Sequence, residues 1–131
     1  MEDFLFKSGE NAVNIIQKKW GREEIFISND IYCFKRLVFN KGYSLSMHFH
    51  VNKHETWEIL SGGGLLSYYN YNSGNIINKE LYPGDVVTIP NFQLHRFQAK
   101  EDTIINEVST KDEASDSYRT MPSGEFKFIS K

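Results

Sequence analysis

Apolar and polar residues alternate in short runs along most of this chain, and a period of two is typical of β-strands with one buried face. Turn-forming residues separate the runs, among them the segments SND, NKG, SGGG, NSG, PGD and KED. The predicted strands cover positions 23–28, 31–39, 43–49, 56–60, 64–71, 75–82, 85–90, 95–99, 103–109 and 125–130. Many short strands with turns at near-regular spacing predict an all-β sandwich or closed barrel.

Two segments depart from this alternation. The apolar positions of residues 11–19 suit one face of a helix that Gly21 could end, although a strand fits nearly as well. Residues 110–124 are polar and are predicted to form a loop or an arm. The sequence is therefore interpreted as a single domain over residues 1–131, with an N-terminal arm (1–19), a barrel (20–109), and a polar loop with a final strand (110–131).

The length, charge and cysteine content of the chain limit the kinds of fold and binding partner that are expected. With 131 residues, of which 40% are hydrophobic, the chain can bury one core. The balance of 15 basic and 17 acidic residues, without a long block of either sign, argues against nucleic acid and anionic membranes as partners. The single Cys33 has no internal disulfide partner, and no apolar run approaches the ~20 residues of a transmembrane helix. No secretion signal is evident, so a cytoplasmic location is expected.

Three of the four histidines fall within the stretch HFHVNKH at 48–54. Side chains alternate along a strand, so His48 and His50 point to the same face, where two imidazoles can chelate one metal ion. Glu55 follows a short turn and can reach the same point. His54 lies on the loop, outside this pattern, and is interpreted as a bystander.

The remaining histidine, His95, opens a new strand after the turn that follows Pro90, so it could also point inward. Together with His48, His50 and Glu55 it would supply three nitrogens and one carboxylate oxygen. That set, with positions left open, suits one divalent ion of Zn, Mn, Fe, Ni or Co in a catalytic rather than a closed structural site.

The spacing of these residues resembles the two motifs of the cupin superfamily. The first motif appears as Gly42, five residues, His48-Phe49-His50, four residues, Glu55, six residues and Gly62; the second appears as Gly84, five residues, Pro90 and then His95. Phe92 and Ala99 stand where the second motif often has Gly and Asn. Neither is a ligand, so the predicted ligand set is unaffected, but the shape of the turn is expected to differ from the family's. The resemblance implies a double-stranded β-helix, the jelly-roll barrel of cupins.

A narrower resemblance, over residues 20 to about 109, is to the cupin domain of type II mannose-6-phosphate isomerases, as fused to mannose-1-phosphate guanylyltransferases. It rests on matches such as Trp20-Gly21, Lys35-Arg36-Leu37, Glu55-Thr56-Trp57, His95-Arg96 and Glu107-Val108. That family commonly has Gln where this chain has His48 and Arg where it has Lys53. No nucleotidyltransferase domain is present in the sequence.

This resemblance implies a metal-dependent aldose–ketose isomerase for a sugar or sugar phosphate. Glu107 matches the family's glutamate and is the first candidate for the catalytic base, with an exposed strand residue as the alternative. Lys35, Arg36 and Arg96 are candidates to hold a sugar phosphate, and Trp57 is a further substrate-binding candidate. Lys35 and Arg36 are adjacent in a strand and face opposite ways, so only one of them can serve.

Two other functions remain open, because a fold does not determine a function. The chain could be a different metalloenzyme such as an Fe-dependent cupin dioxygenase. It could also be a non-catalytic protein that binds a sugar or another small ligand, or a partner subunit for a sugar-activating enzyme. Cupins often pair through sheet edges and N-terminal arms, and Phe4, Leu5 and Phe6 are apolar residues without a place in the barrel. A homodimer is therefore expected from the resemblance.

Overall fold

Two antiparallel β-sheets make up most of residues 6–126, the part of the chain described by the structure, a computed structural model. Short 3₁₀ turns occur at Gly9–Ala12 and Ala114–Asp116. The strands are β1 (Asn14–Lys18), β2 (Gly21–Ser28), β3 (Tyr32–Phe39), β4 (Tyr43–Ser44), β5 (Met47–Phe49), β6 (Glu55–Ser61), β7 (Gly64–Asn70), β8 (Asn75–Leu81), β9 (Val86–Ile89), β10 (His95–Ala99), β11 (Thr103–Thr110), β12 (Tyr118–Met121) and β13 (Gly124–Glu125).

The first sheet has the strand order β1-β2-β3-β11-β6-β9. In the second sheet β10 is central, with β4 and β5 along one edge and β7 along the other; β12 and β13 then pair with β5 and β4, and β8 pairs with β7. The aromatic rings of Phe39 and Phe97 meet edge to face between the two sheets at 5.1 Å. The prediction of an all-β jelly-roll barrel is confirmed.

Inward-facing side chains change from apolar to polar at the same level on four strands. The buried positions run Phe39, Leu37, Lys35 on β3 and Ala99, Phe97, His95 on β10. They run Ile105, Glu107 on β11 and Ile59, Trp57, Glu55 on β6. The apolar half forms the hydrophobic core, and the polar half forms a cavity at the other end of the barrel. This division of each strand positions the candidate site.

Each predicted strand overlaps an observed one, but the ends of the chain differ from the prediction. Within the predicted arm, residues 14–18 form β1, which extends the first sheet by pairing with β2. Within the predicted polar loop, β12 pairs with β5, so this segment is part of the second sheet. The predicted strand at 43–49 is split into β4 and β5.

The two termini are only partly covered by the structure. Phe4 and Leu5 lie outside the described residues, as do positions 127–130 of the last predicted strand, and Phe6 is exposed. No helix within residues 6–126 is long and apolar enough to cross a membrane.

Candidate metal centre

Three histidines come together at the polar end of the barrel. His48 lies on β5 and pairs in register with His95 at the start of β10, and His50 follows directly after β5. The three candidate ligand nitrogens lie within 4.8 Å of one another. His48 and His95 are buried, and the side chain of His50 is 11% exposed. Three clustered imidazoles could hold one metal ion.

Backbone carbonyls orient all three imidazole rings. The Nδ1 atoms of His48, His50 and His95 lie 2.7 Å from the carbonyl oxygens of Ser46, Asp116 and Gln93 respectively. A carbonyl oxygen only accepts hydrogen bonds, so each Nδ1 carries the proton and donates it. Each Nε2 is then left with a lone pair that can bind a metal ion, as in sites where the other ring nitrogen donates to a carbonyl.

Glu55 completes the cluster from the start of β6. Its Oε2 lies 3.3 Å from His50 Nε2, and its Oε1 lies 3.8 Å from His95 Nε2. Glu55 Oε2 and His95 Nε2 are both buried and have no hydrogen-bond partner among the described residues. Buried polar atoms are rarely left without a partner. Two such atoms in one donor cluster fit a bound cation, so the residues present suit the metal that the sequence predicts.

Burial sets the protonation of these ligands. It lowers the pKa of His48 to about 4, and burial together with repulsion from His48 lowers the pKa of His95 to about 3. The pKa of His50 is also lowered, first by burial and then by the nearby Lys53 ammonium. All three rings are therefore neutral at pH 7. Burial and the Glu107 carboxylate raise the pKa of Glu55, which favours its protonated form when no cation is bound.

A buried network of lysines and carboxylates lies beside the histidines. Lys53 Nζ is 3.1 Å from Glu107 Oε2, 3.1 Å from Asp112 Oδ1 and 3.7 Å from Glu55 Oε2. Lys35 Nζ is 3.1 Å from Glu23 Oε1, 3.1 Å from Asp112 Oδ2 and 3.6 Å from Glu107 Oε2. The two lysines thus share Glu107 and Asp112 between them.

Glu107 is an ionised carboxylate at the centre of this network. Its Oε1 accepts a hydrogen bond from the indole Nε1 of Trp57 at 3.1 Å. Burial would raise the pKa of Glu107, but attraction to Lys53 and Lys35 outweighs burial and lowers it below its usual range. The alternative that Glu107 is an exposed strand residue is wrong, because only 3% of its surface is accessible.

Residues of both groups line one cavity of about 730 Å³. Its wall includes His48, His50, Glu55 and Glu107, as well as the substrate-binding candidates Lys35 and Trp57. Such a volume falls within the range of small-molecule sites, about 300–1,000 Å³.

Two of the predicted substrate-binding residues lie elsewhere. Arg36 alternates with the buried Lys35 and Leu37, so its side chain is on the outer face of β3, 3.9 Å from Glu24 Oε1 and over the Phe26 ring. Arg96 alternates with the buried His95 and Phe97, its guanidinium contacts Met121 Sδ, and it is not among the residues that line the cavity. Strand alternation thus turns both arginines away from the cavity wall, and a role for either of them in holding a sugar phosphate stays a prediction.

Sequence reasoning missed three residues of the site. Lys53 sits in the turn between β5 and β6, where no periodicity predicts its direction, although the resemblance marks it as a basic position. Asp112 and Asp116 belong to the polar segment 110–124, which carries no strand alternation. No signal in a single sequence connects that segment with the histidines.

Comparison with known proteins agrees with the fold. The family model described as Cupin matches residues 30–131, and no curated protein matches the sequence. The capsular polysaccharide assembling protein CapF from Staphylococcus aureus superposes with a TM-score of 0.73 at 20% identity, over 83% of this chain and 32% of that chain. Oxalate decarboxylase from Bacillus subtilis gives a TM-score of 0.70 at 14% identity, over 82% and 30% respectively.

This chain spans about a third of the length of these solved chains, and identities at this level show a shared fold only. The family model, in contrast, covers well over half of the sequence, including both predicted histidine motifs and the strands that carry them. The chain belongs to the cupin family.

Proposed function

We propose that this chain is a metal-dependent isomerase that moves a proton between adjacent carbons of a sugar or sugar phosphate, in an aldose–ketose exchange. The observation that carries the proposal is the buried carboxylate of Glu107, held by Trp57 and Lys53 in the wall of the same cavity as His48, His50 and Glu55. A site for metal binding alone would not need this second, separately positioned carboxylate.

His48, His50, His95 and Glu55 would hold the ion, which when bound would polarise a substrate carbonyl as a Lewis acid. Glu107 is the group proposed to accept the proton from the neighbouring carbon and return it. With its pKa held low, Glu107 is a weak base at rest. A substrate oxygen that binds Lys53 would draw the ammonium away from Glu107 and so raise the basicity of the carboxylate.

Substrate recognition would fall to the cavity wall and its mouth. Lys35 is in the wall but is already paired with Glu23 and Asp112. Among the exposed residues that line the cavity are the cations Lys18, Lys19 and Arg119, which could contact a phosphate at the mouth. A carbohydrate substrate is also consistent with one structural neighbour, which is a capsular polysaccharide assembling protein. The small-molecule partner, the homodimer and the cytoplasmic location stay predictions.

The test is turnover with solvent isotope. Purified protein loaded in turn with Mn, Fe, Co, Ni or Zn is incubated in D₂O with hexoses, pentoses and their phosphates, and products are read by NMR. We expect metal-dependent interconversion of one aldose–ketose pair, with deuterium at C1 or C2. Glu107→Gln should retain metal but lose at least about 100-fold in rate, as expected for a proton-transfer group.

Glu58→Gln is the matched control, because Glu58 is an exposed carboxylate on the outer face of β6, hydrogen-bonded to Asn106. It should retain full activity. Absence of metal-dependent conversion and of deuterium incorporation across the panel would refute the isomerase. Dioxygen consumption with Fe alone would then favour the dioxygenase, and saturable sugar binding without turnover would favour the non-catalytic binder.

A further inference from the structure

Asp116 connects the C-terminal segment with the turn between β5 and β6. It ends the 3₁₀ turn Ala114–Asp116 and is buried, with 4% of its surface accessible. Its Oδ1 accepts a hydrogen bond from the backbone N–H of Val51 at 2.8 Å, and its Oδ2 accepts from those of Asn52 at 3.1 Å and Lys53 at 3.0 Å. One carboxylate thus satisfies three consecutive backbone donors, which fixes the turn to the C-terminal segment.

The backbone of the same residue orients a candidate ligand. The carbonyl oxygen of Asp116 accepts the Nδ1 proton of His50 at 2.7 Å. The equivalent carbonyls for His48 and His95 come from residues only two positions before each histidine, Ser46 and Gln93. His50 is therefore the one ligand of the three whose orientation depends on a distant part of the chain.

The turn held by Asp116 carries much of the site. It joins His50 to Glu55, and its third residue, Lys53, reaches Glu107 and Asp112. If the carboxylate of Asp116 were lost, the backbone N–H groups of Val51, Asn52 and Lys53 would lose their acceptor, and the turn would lose its link to the C-terminal segment. The carbonyl that fixes the His50 ring would move with that segment.

We propose that Asp116 is a positioning residue of the metal centre, which sets metal affinity by holding the His50 ring and the 51–53 turn together. This inference rests on the metal site of the proposed function. Groups that orient a metal ligand through a hydrogen bond typically change affinity by ~10–100-fold when they are replaced. Asp116→Ala should weaken binding by about that factor. Asp116→Asn keeps one acceptor oxygen and should lie between Asp116→Ala and the wild type.

The experiment measures the dissociation constant for Zn²⁺ by competition with a chromogenic chelator, and amide hydrogen exchange at residues 51–53 in the metal-free protein. Ser115→Ala is the matched control, because Ser115 lies in the same 3₁₀ turn but is exposed and outside the cavity wall. We expect weaker Zn²⁺ binding and faster exchange in both Asp116 variants, and wild-type values for Ser115→Ala.

A purely structural role predicts a different result. In that case Asp116→Asn would unfold more easily, but the folded protein would bind Zn²⁺ with wild-type affinity, and this outcome would overturn the proposal while leaving the proposed function intact. Should Asp116→Ala fail to fold, Asp116→Asn decides. If the wild type itself binds no Zn²⁺ or other divalent ion, the metal site and this inference fail together.

Discussion

Replacing Lys53 with Met should destabilise the protein strongly at neutral pH. Met has a similar length and keeps the packing of the aliphatic stem, but it removes the ammonium from a side chain that is only 4% exposed. Glu107 and Asp112, each 3.1 Å from Lys53 Nζ, would lose this partner while remaining in the network. The substitution therefore leaves buried negative charge that Lys35 alone must balance.

The magnitude follows from these distances. At an effective dielectric constant of about 20, a charge pair 3.1 Å apart attracts by about 5 kcal/mol. The variant no longer pays the desolvation cost of a buried ammonium, which offsets part of this loss. Lys35 also remains 3.6 Å from Glu107 Oε2 and still attracts that carboxylate. We therefore expect a loss of about 3 kcal/mol in the free energy of unfolding, at the low end for breaking a buried ion pair.

The sign of the pH dependence provides a second check. In the wild type the folded-state pKa of Glu107 is lowered, so its contribution to stability is present above the unfolded pKa of about 4.3 and is lost as pH falls further. In Lys53→Met, burial should dominate and raise that pKa above about 4.3. The folded variant then favours the protonated form of Glu107, so protonation at lower pH relieves the buried charge. The difference in unfolding free energy between the wild type and Lys53→Met should therefore be smaller at pH 5 than at pH 7.

Urea unfolding of metal-free protein, followed by circular dichroism at pH 7 and pH 5, measures both effects. Lys111→Met is the control, because Lys111 makes ion pairs with Asp30 and Glu113 at the surface, and it should match the wild type. A loss below about 1 kcal/mol at pH 7, or an equal loss at both pH values, would mean that Lys53 does not hold the buried carboxylates in their ionised form.

Three further predictions concern single groups of the fold and site. Trp57→Phe removes the N–H donated to Glu107 and should cost about 2 kcal/mol in urea unfolding; no change would contradict that bond. Gly62→Ala and Gly42→Ala both place a side chain at positive φ, but of the two only Gly62→Ala would make the new Cβ overlap a backbone carbonyl. Gly62→Ala should therefore lower Tm more than Gly42→Ala, and equal losses would argue against that overlap. Metal binding near pH 7 should release a proton from Glu55, because the pKa of Glu55 is raised in the metal-free site. Calorimetry in buffers of different ionisation enthalpy should detect the released proton, and a binding heat that does not depend on the buffer would disprove its release.

The sequence predicted the strands well because alternation and turn residues are local signals. It could not predict β1 or β12, since the apolar residues of 11–19 fit a helix as well as a strand and residues 110–124 have no alternation. Their pairing with β2 and β5 depends on the rest of the barrel. Propensity is a weak guide where tertiary pairing decides the structure.

The turn before β10 illustrates another limit. Phe92 stands where the motif often has Gly, and the structure keeps a left-handed backbone there, with φ of 67°. The backbone N–H of Phe92 donates to the carbonyl of His50 at 2.6 Å, which joins this turn to the start of the turn between β5 and β6. The conformation is thus imposed by contacts that the sequence does not display.

For the site, strand parity correctly predicted that His48 and His50 point to the same side, whereas Glu107 was predicted only from the resemblance. Parity left open which of Lys35 and Arg36 pointed inward. Which of the two residues points inward depends on which face of β3 meets the second sheet. The local sequence indicates that face only through the apolar residues Cys33 and Leu37, which alternate with Lys35. The ion network could not be predicted, because Asp112 and Lys53 meet only after the C-terminal segment folds over the barrel.

Both proposals depend on one metal ion binding at the three histidines and Glu55. Metal content per folded chain, measured by plasma mass spectrometry after identical loading, tests this for the wild type, His95→Ala and His54→Ala. His54 is exposed and outside the site, so it serves as the matched histidine control. We expect about one ion per chain in the wild type and His54→Ala, and strongly reduced content in His95→Ala. Equal metal content in all three proteins, or none in any of them, would contradict the assignment of this site.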